Sequence, residues 1–265
     1  MLSQRNPNVT GVLPVTLEDA TKIVQALLYS GKEYVGVMKL HAEAKTGQVR
    51  TVMEEFENLI YQRPPLRASV KRQLRTRRIY YMDFMEMEGR NVLFKVGCEA
   101  GTYIRKLCYD IGEILGTGAH MQELRRTRAG PFSENSKTHV TLHDLAYRFG
   151  EWEEKKDEKI LHEFIQPMEN ALMLLPKIVV RDSAVDALCH GANLTVPGVL
   201  SVESEIVKDS IVAILTLKGE VIALAKTLLS TQEILDLNHG TAATLQRVIM
   251  PRGTYPRAWK SGSKE

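Results

Sequence analysis

Cysteine is scarce in this chain: Cys98, Cys108 and Cys189 are the only three, an odd number with no C-x-x-C pair. That excludes a disulfide framework and a zinc ribbon, and leaves the thiols as small hydrophobic side chains. Long apolar runs are missing too. No stretch reaches the length of a membrane span, and the N-terminus lacks the basic-then-apolar pattern of a secretion signal, so a cytoplasmic protein with no membrane contact is expected. His139 and His143 stand at the i, i+4 spacing of a metal pair without any third-ligand pattern, so no metal is expected there. Internal repeats and low-complexity tracts are also absent. Neither sign of charge dominates, with 35 Lys and Arg against 32 Asp and Glu, so net charge alone names no partner.

What is present is an ordinary globular composition, 44% apolar and 25% charged over 265 residues, enough for one large or two modest domains. The chain is organised around residues 98–132. Ahead of that stretch Val92, Phe94, Val96 and Cys98 alternate at period two, which predicts a half-buried strand, and Gly101 supplies the turn out of it. Ile104, Leu107, Cys108, Ile111 and Leu115 then recur at helical spacing up to the stop at Gly116-Thr-Gly118, with Thr102 the expected N-cap. This is strand, tight turn, helix. Arg105 falls in the first helical turn, where a cation opposes the helix dipole. It is either a surface arginine tolerated by screening or one held at the corner to bind a carboxylate or phosphate.

Charge is patterned even though it is balanced. Arg63, Arg67, Lys71, Arg72, Arg75, Arg77 and Arg78 follow one another with no acidic residue between Arg63 and Arg78, and Arg125, Arg126 and Arg128 form a second basic set beyond the central helix. One such run is usually a solvated face, but two flanking one turn fit the electrostatic footprint of a phosphate backbone. Nucleic acid is the expected partner.

Elsewhere the periodicity predicts a helix over 17–28 with Ala20, Ile23, Val24 and Leu27 on one face, and a strand from Tyr34 to His41. A second amphipathic helix is predicted over 49–60, with Val52, Phe56, Leu59 and Ile60 apolar, ended by the prolines of Gln62-Arg-Pro-Pro-Leu66. Thr141-Leu-His-Asp144 marks a helix start, and the alternating charges of 151–159 an exposed helix or connector. From Lys177 the chain turns to short apolar strands: 178–180, a small helix at 183–188, the Pro197-Gly198 turn, and a hairpin of 211–217 and 221–225 about Lys218-Gly-Glu220. A domain boundary is placed near residue 175.

Ala100-Gly-Thr-Tyr-Ile-Arg105 followed by Met121-Gln-Glu-Leu-Arg-Arg-Thr-Arg128 resembles a core motif of the dyskerin-type pseudouridine synthases, the RNA-guided enzymes of H/ACA particles that belong with tRNA pseudouridine synthase B. Tyr34 in Gly31-Lys-Glu-Tyr-Val35, the Gln62–Leu66 run, and Asp182-Ser-Ala-Val185 with Pro197-Gly-Val-Leu200 resemble that family in the same order. The resemblance spans nearly the whole chain. It implies an α+β fold: a mixed-sheet catalytic domain over 1–175, incomplete at its N-terminus, a small β-barrel-like PUA domain over 176–252 that binds RNA, and a tail over 253–265.

It also implies an activity, the isomerisation of uridine to pseudouridine in ribosomal or transfer RNA. Guide RNA and the other particle proteins are the implied partners, and no cofactor is implied. Tyr34 then packs against the base and is a candidate for proton transfer, Tyr103 lines the pocket, Arg105 pairs with the nucleophilic carboxylate, and Leu124 walls the pocket. On their own, Tyr34 and Leu124 read as strand core. Arg63, Arg67, Lys71, Arg72, Arg75, Arg125, Arg126 and Arg128 are the expected RNA contacts. The departure is at the start: Pro7, Val9, Thr10 and Gly11 match the family's nucleophile loop, but the catalytic aspartate falls on Asn6. A truncated or diverged copy is expected, with an unpaired sheet edge where upstream strands are missing. The competing reading is a non-catalytic RNA-binding or scaffold homologue. A protein-binding fragment with no RNA role is disfavoured by the charge clusters.

Overall fold

The alternation of Val92, Phe94, Val96 and Cys98 is a strand with all four side chains buried, at the centre of a computed structural model that describes residues 9–64 and 73–257. The first part of the chain forms β1 (Val9–Gly11), a 3-10 turn (Glu18–Ile23) running into α1 (Val24–Tyr29), β2 (Lys32–Leu40) and α2 (Thr46–Glu55). Then come β3 (Asn58–Gln62), β4 (Arg75–Glu88), β5 (Asn91–Cys98), α3 (Ile104–Leu115), β6 (Ala119–Ala129), β7 (Phe132–Ser133), α4 (Leu142–Lys155) and α5 (Glu158–His162). The strands make one sheet in the order β1-β6-β2-β5-β4-β3, with β7 on β6. It is mixed, because β1 runs parallel to β6 while the other pairs are antiparallel.

One face of the sheet carries the core. Met38 and Leu40 of β2, the even residues of β5, Met82 of β4 and Ala119 and Leu124 of β6 meet Val49 and Met53 of α2 and Ile104, Leu107, Cys108 and Ile111 of α3. Fully burying side chains such as Phe94 or Leu107 contributes about 1.5–3 kcal/mol each. Helix α3 stops where expected: Gly116 is its C-cap in the left-handed region (φ 72°), a conformation that costs glycine nothing sterically.

The second part forms β8 (Lys177–Val180), α6 (Asp182–Cys189), β9 (Leu194–Thr195), β10 (Val199–Val202), β11 (Ile211–Leu215), β12 (Val221–Thr227), α7 (Thr231–Asp236) and β13 (Thr241–Val248). Its six strands order as β10-β8-β11-β12-β13-β9, a nearly closed barrel-like sheet around its own core of Ile178, Val180, Val212, Ile214, Ile222 and Ala243. The hairpin at Lys218-Gly-Glu220 is closed by Thr216 N–H to Glu220 O (2.9 Å). The chain divides into two compact units. One comprises the residues up to Val15 and Leu27–Gln166, the other Thr16–Ala26 and Pro167 onward.

Three expectations need correction. The helix predicted over 49–60 ends at Glu55, and 58–62 is β3: Asn58 has a positive φ (87°) that breaks the helix, after which Ile60 and Gln62 turn inward and Leu59 and Tyr61 outward. The helix predicted over 17–28 is half 3-10, with Leu17 still extended. The N-cap of α3 is Tyr103 and not Thr102, whose hydroxyl is spent on the Glu99 carbonyl (2.7 Å). By contrast α4 starts where expected, and the structure adds that Thr141 caps it in a reciprocal capping box with Asp144.

The seat of α3 on β6 leaves no room at Gly112, where an added Cβ would stand 2.1 Å from the Ala119 nitrogen. Alanine gains about 1 kcal/mol of helix propensity there, but contact with fixed backbone outweighs it. Gly112→Ala is expected to lower stability by about 1–3 kcal/mol in thermal or urea melts. Gly47→Ala in α2, with nothing within 4 Å of the added Cβ, should be neutral or slightly stabilising.

Candidate functional site

Strand β2 is paired on both edges, and its register decides what faces what. Tyr34 lies opposite Val96 of β5 and Arg126 of β6, and Gly36 opposite Phe94 and Leu124. Gly36 is a gap that these neighbours fill, since a Cβ there would stand 2.8 Å from the Phe94 ring and 2.9 Å from Leu124 Cδ1. Tyr34 and Leu124 therefore sit on the core face, Leu124 buried and Tyr34 half-buried against the core cluster. Strand β1 runs beside β6 here, with Val9 beside Leu124 and Gly11 beside Arg126. Gly11 has φ 100°, and a Cβ on it would overlap the Arg126 carbonyl at 2.1 Å, so only glycine permits that approach. Asn6 lies outside the described residues, just before β1.

The electrostatics here are those of buried cations. Arg126 donates from Nε to the Val12 carbonyl (2.7 Å) and lies near enough to the Tyr34 hydroxyl to work against the rise in its pKa, while its Nη2 is buried without a partner among the described residues. Lys32 donates to the carbonyls of Leu27 (3.0 Å), Leu28 (2.8 Å) and Ser30 (2.5 Å) at the end of α1. Burial, and then the Arg126 charge, bring its pKa down to about 8. Burial first, then Cys98, raise the Tyr34 phenol above its usual range against the opposing pull of Arg126, so it is a neutral hydroxyl at physiological pH. Burial pushes the Cys98 thiol up to about 12, which leaves it protonated.

Beyond Cys98 the chain turns through Gly101 (φ 79°) into α3. Tyr103 is half-buried, and its backbone is gripped by the side chain of Gln62: the Tyr103 N–H donates to Gln62 Oε1 (2.9 Å) and Gln62 Nε2 donates to the Tyr103 carbonyl (3.2 Å). Arg105 is exposed, with no hydrogen bond or ion pair among the described residues. An open groove of about 1090 Å³ lined by Tyr61, Arg63, Leu74, Lys106, Tyr109 and Ile114 includes none of Tyr34, Tyr103, Arg105 or Leu124 in its walls.

The basic residues separate. Arg67, Lys71 and Arg72 lie outside the described residues. Arg63 and Arg75 flank them at the end of β3 and the start of β4. Arg125 is exposed and ion-paired with Glu134 (2.6 Å), and Arg128 is exposed beside Glu33 (4.0 Å). Arg126 is turned inward, as described. Arg77 also points inward, ion-paired with Glu99 at 3.4 Å.

On the opposite face Glu33 accepts from Thr127 Oγ1 (2.6 Å) and Tyr81 Oη (2.5 Å), with Lys95 Nζ at 3.3 Å. Burial works to raise the Glu33 pKa, but the bonds from Thr127, Tyr81 and Lys95 outweigh it and the net shift is downward. Sequence reasoning did not single out Glu33, Lys32, Tyr81 or Gln62. Gln62, as the first residue of a resembling motif, and Lys32 and Glu33, inside the Gly31–Val35 motif, carried a signal, whereas Tyr81 carried none. Among the described residues no group of three or more His, Cys, Asp or Glu could hold a metal ion, and no helix is long and apolar enough to cross a membrane.

Residues 6–104 match the TruB family pseudouridylate synthase N-terminal domain, 105–173 the tRNA pseudouridylate synthase B C-terminal domain, and 176–249 the PUA domain. A probable tRNA pseudouridine synthase B of Archaeoglobus fulgidus is 57% identical over 97% of this chain and 79% of its own length. The corresponding Pyrococcus abyssi protein is 55% identical over 96% and 76%. Among solved structures, a Cbf5-Nop10-Gar1 complex gives a TM-score of 0.91 at 52% identity, covering 95% of this chain and 76% of the other. An H/ACA RNP bound to a substrate RNA containing 2'-deoxyuridine gives 0.88 at 49% identity, covering 96% and 77%.

The Glu33 network has a signature at high pH. Burial first, then the bond to Glu33, push the Tyr81 hydroxyl up to about 12. A folded pKa above the unfolded value of about 10 contributes stability that is complete below pH 10 and lost as pH rises toward 12. Tyr81→Phe should therefore flatten the fall in stability across that window, and remove one late-titrating phenol from an ultraviolet titration. An unchanged profile would mean the bond is not formed.

Proposed function

The chain belongs to the TruB family of pseudouridylate synthases, and on that premise we propose that it binds RNA in an H/ACA-type particle and that its fold is built for guided isomerisation of uridine in ribosomal or transfer RNA. The observation that carries the reading is that Tyr34 and Leu124 share the core face of β2 and β6, Leu124 opposite Gly36 and so two residues along from Tyr34, with Val9 of β1 beside Leu124. Partners of the kind named for its structural relatives, Nop10, Gar1 and a substrate RNA, complete the assembly, together with the guide RNA that the motif resemblance implies. The catalytic part is assigned to 1–175 and the RNA-binding PUA part to 176–252, with 253–265 a tail. We place the protein in the cytoplasm.

The chemistry breaks the glycosidic C–N bond, turns the base and rejoins it through carbon. The base first leaves its stack and needs a pocket of aromatic and apolar walls, the role assigned to Tyr34, Tyr103 and Leu124. A neutral phenol at Tyr34 suits proton transfer beside the base. Arg105, without a partner among the described residues, is assigned to hold an ionised carboxylate at the sugar carbon. The remaining basic residues, Arg63, Arg67, Lys71, Arg72, Arg75, Arg125 and Arg128, are assigned to phosphates. Arg126 is assigned to the wall of the site, given its place opposite Tyr34 and its bond to the Val12 carbonyl.

Asn6 favours a second reading. An amide is neutral and weakly nucleophilic, so a chain with asparagine at the nucleophile position binds RNA and isomerises little. The test measures pseudouridine in a guide-paired target RNA, with partner proteins present, for the chain as it stands and for Asn6→Asp. Product from the aspartate form at a rate at least about 10³-fold higher supports both the site assignment and the binder reading of the natural chain. Equal product from both removes Asn6 from the nucleophile position, and product from neither, with RNA bound, overturns the isomerase reading. RNA affinity should fall by about 10³-fold between about 50 and 200 mM salt if six phosphates are neutralised, whichever form is used.

A further inference from the structure

We propose that Gln62 is a positioning residue for the reaction, holding the corner that carries Tyr103 and Arg105 in one orientation. This rests on the assignment of those two residues to the isomerase site.

Gln62 is 2% exposed, at the inner end of β3. Burying a primary amide is costly unless its donor and acceptor are both used, and an apolar side chain would fill the same volume without that cost. Both are used here on one residue. Its oxygen takes the Tyr103 N–H (2.9 Å) and its nitrogen donates to the Tyr103 carbonyl (3.2 Å), so the amide does for Tyr103 what a neighbouring strand would do.

Local bonds hold the corner only in part: the Thr102 N–H reaches the Glu99 carbonyl (3.3 Å) and the Leu107 N–H the Tyr103 carbonyl (3.0 Å), but among the described residues no local group takes the Tyr103 N–H. Tyr103 is the N-cap of α3 yet makes no side-chain cap bond, and the first turn of α3 contains no acidic residue. Thr102 spends its hydroxyl on the Glu99 carbonyl (2.7 Å). Upstream, the Arg77 guanidinium packs against Gly101, where a Cβ would stand 3.2 Å from Nη2. Orientation of Tyr103, and of Arg105 two residues on, is therefore set in part from outside the segment, by β3 and β4. Gln62 is the only one of the two braces that hydrogen-bonds Tyr103 itself. A displacement of an ångström at that corner moves both assigned side chains together, and losses of about 10²-fold in rate accompany misplacement on that scale.

Two variants in the Asn6→Asp chain test this, by single-turnover pseudouridine formation, RNA affinity and thermal melting. Gln62→Met keeps the volume and removes both bonds. It should react about 10²-fold more slowly with RNA affinity unchanged and the protein folded at the assay temperature. Gln62→Glu keeps the acceptor but can donate to the Tyr103 carbonyl only while protonated, and burial raises a carboxyl pKa. Its rate relative to the parent should therefore recover as pH falls from about 8 to about 5.5, a recovery Gln62→Met cannot show. A purely structural role would give parallel pH profiles for all three chains. Parallel profiles, parental rates in both variants, or losses explained by unfolding in the melts would overturn the proposal. No product from the Asn6→Asp parent itself would instead remove the site assignment on which it rests.

Discussion

Everything at the site hangs on the double pairing of β2. From Lys32 to Lys39 it is laddered to β5 on one edge and to β6 on the other, so its two faces are fixed by two registers at once. A slip of one residue would exchange Tyr34 for Glu33 or Val35 on the core face. Two features oppose such a slip. Gly36 accepts Phe94 and Leu124 into the space where any other residue would have a side chain. On the other face a bulge between Glu33 and Tyr34 leaves Thr127 as the extra residue of β6, and the Thr127 hydroxyl reaches Glu33. The polar network and the apolar gap act on opposite faces of the same strand.

The same packing explains the unusual electrostatics. Lys32 and Arg126 are partly buried near each other, and neither has a carboxylate partner among the described residues. An ion buried that way is tolerated only if oxygen atoms replace its water. Carbonyls do so here: three at the end of α1 for Lys32, where the helix dipole also favours a cation, and Val12 for Arg126. The compensation is incomplete, and the lowered pKa of Lys32 and the unpartnered Nη2 of Arg126 measure the shortfall. The acidic groups of this strand region are on the other side of the sheet, around Glu33.

How much of this could be read beforehand follows from how local each signal is. The strand of Val92–Cys98, the apolar stripe of α3, the stop at Gly116 and the helix start at Thr141 depend on a few neighbouring residues, and all were legible. The box formed by Ser230 and Glu233 was equally legible in principle, and α7 was not predicted. Residues 56–60 misled because Phe56, Leu59 and Ile60 fit a helical stripe as well as a strand, and only the positive φ at Asn58 separates the two. The candidate site residues Tyr34, Tyr103, Arg105 and Leu124 were named from the motif resemblance alone. Arg126 shares the face of Leu124 by strand alternation, but no strand was predicted over 119–129; that Arg128 nonetheless faces out depends on the bulge at Thr127, and the Val12 carbonyl that takes Arg126 comes from far off in the sequence. Lys32, Glu33 and Gln62 are invisible to spacing for the same reason: their partners lie on other strands or at the end of a helix.

The start of α3 shows the cost of that arrangement most clearly. A helix of twelve residues begins with no side-chain cap, no acid in its first turn, and Arg105 and Lys106 side by side at the positive end of its dipole. Each choice is unfavourable for the isolated helix, by about 0.5–2 kcal/mol for a missing cap. Lys106 is relieved by its ion pair with Asp110, whereas Arg105 has no such relief among the described residues. The stability lost locally is recovered by tertiary contacts, the buried stripe of Ile104, Leu107, Cys108 and Ile111 and the Gln62 amide on Tyr103. Local rules broken at one short segment, and compensated from other strands, are what a segment shaped for a task other than its own stability looks like.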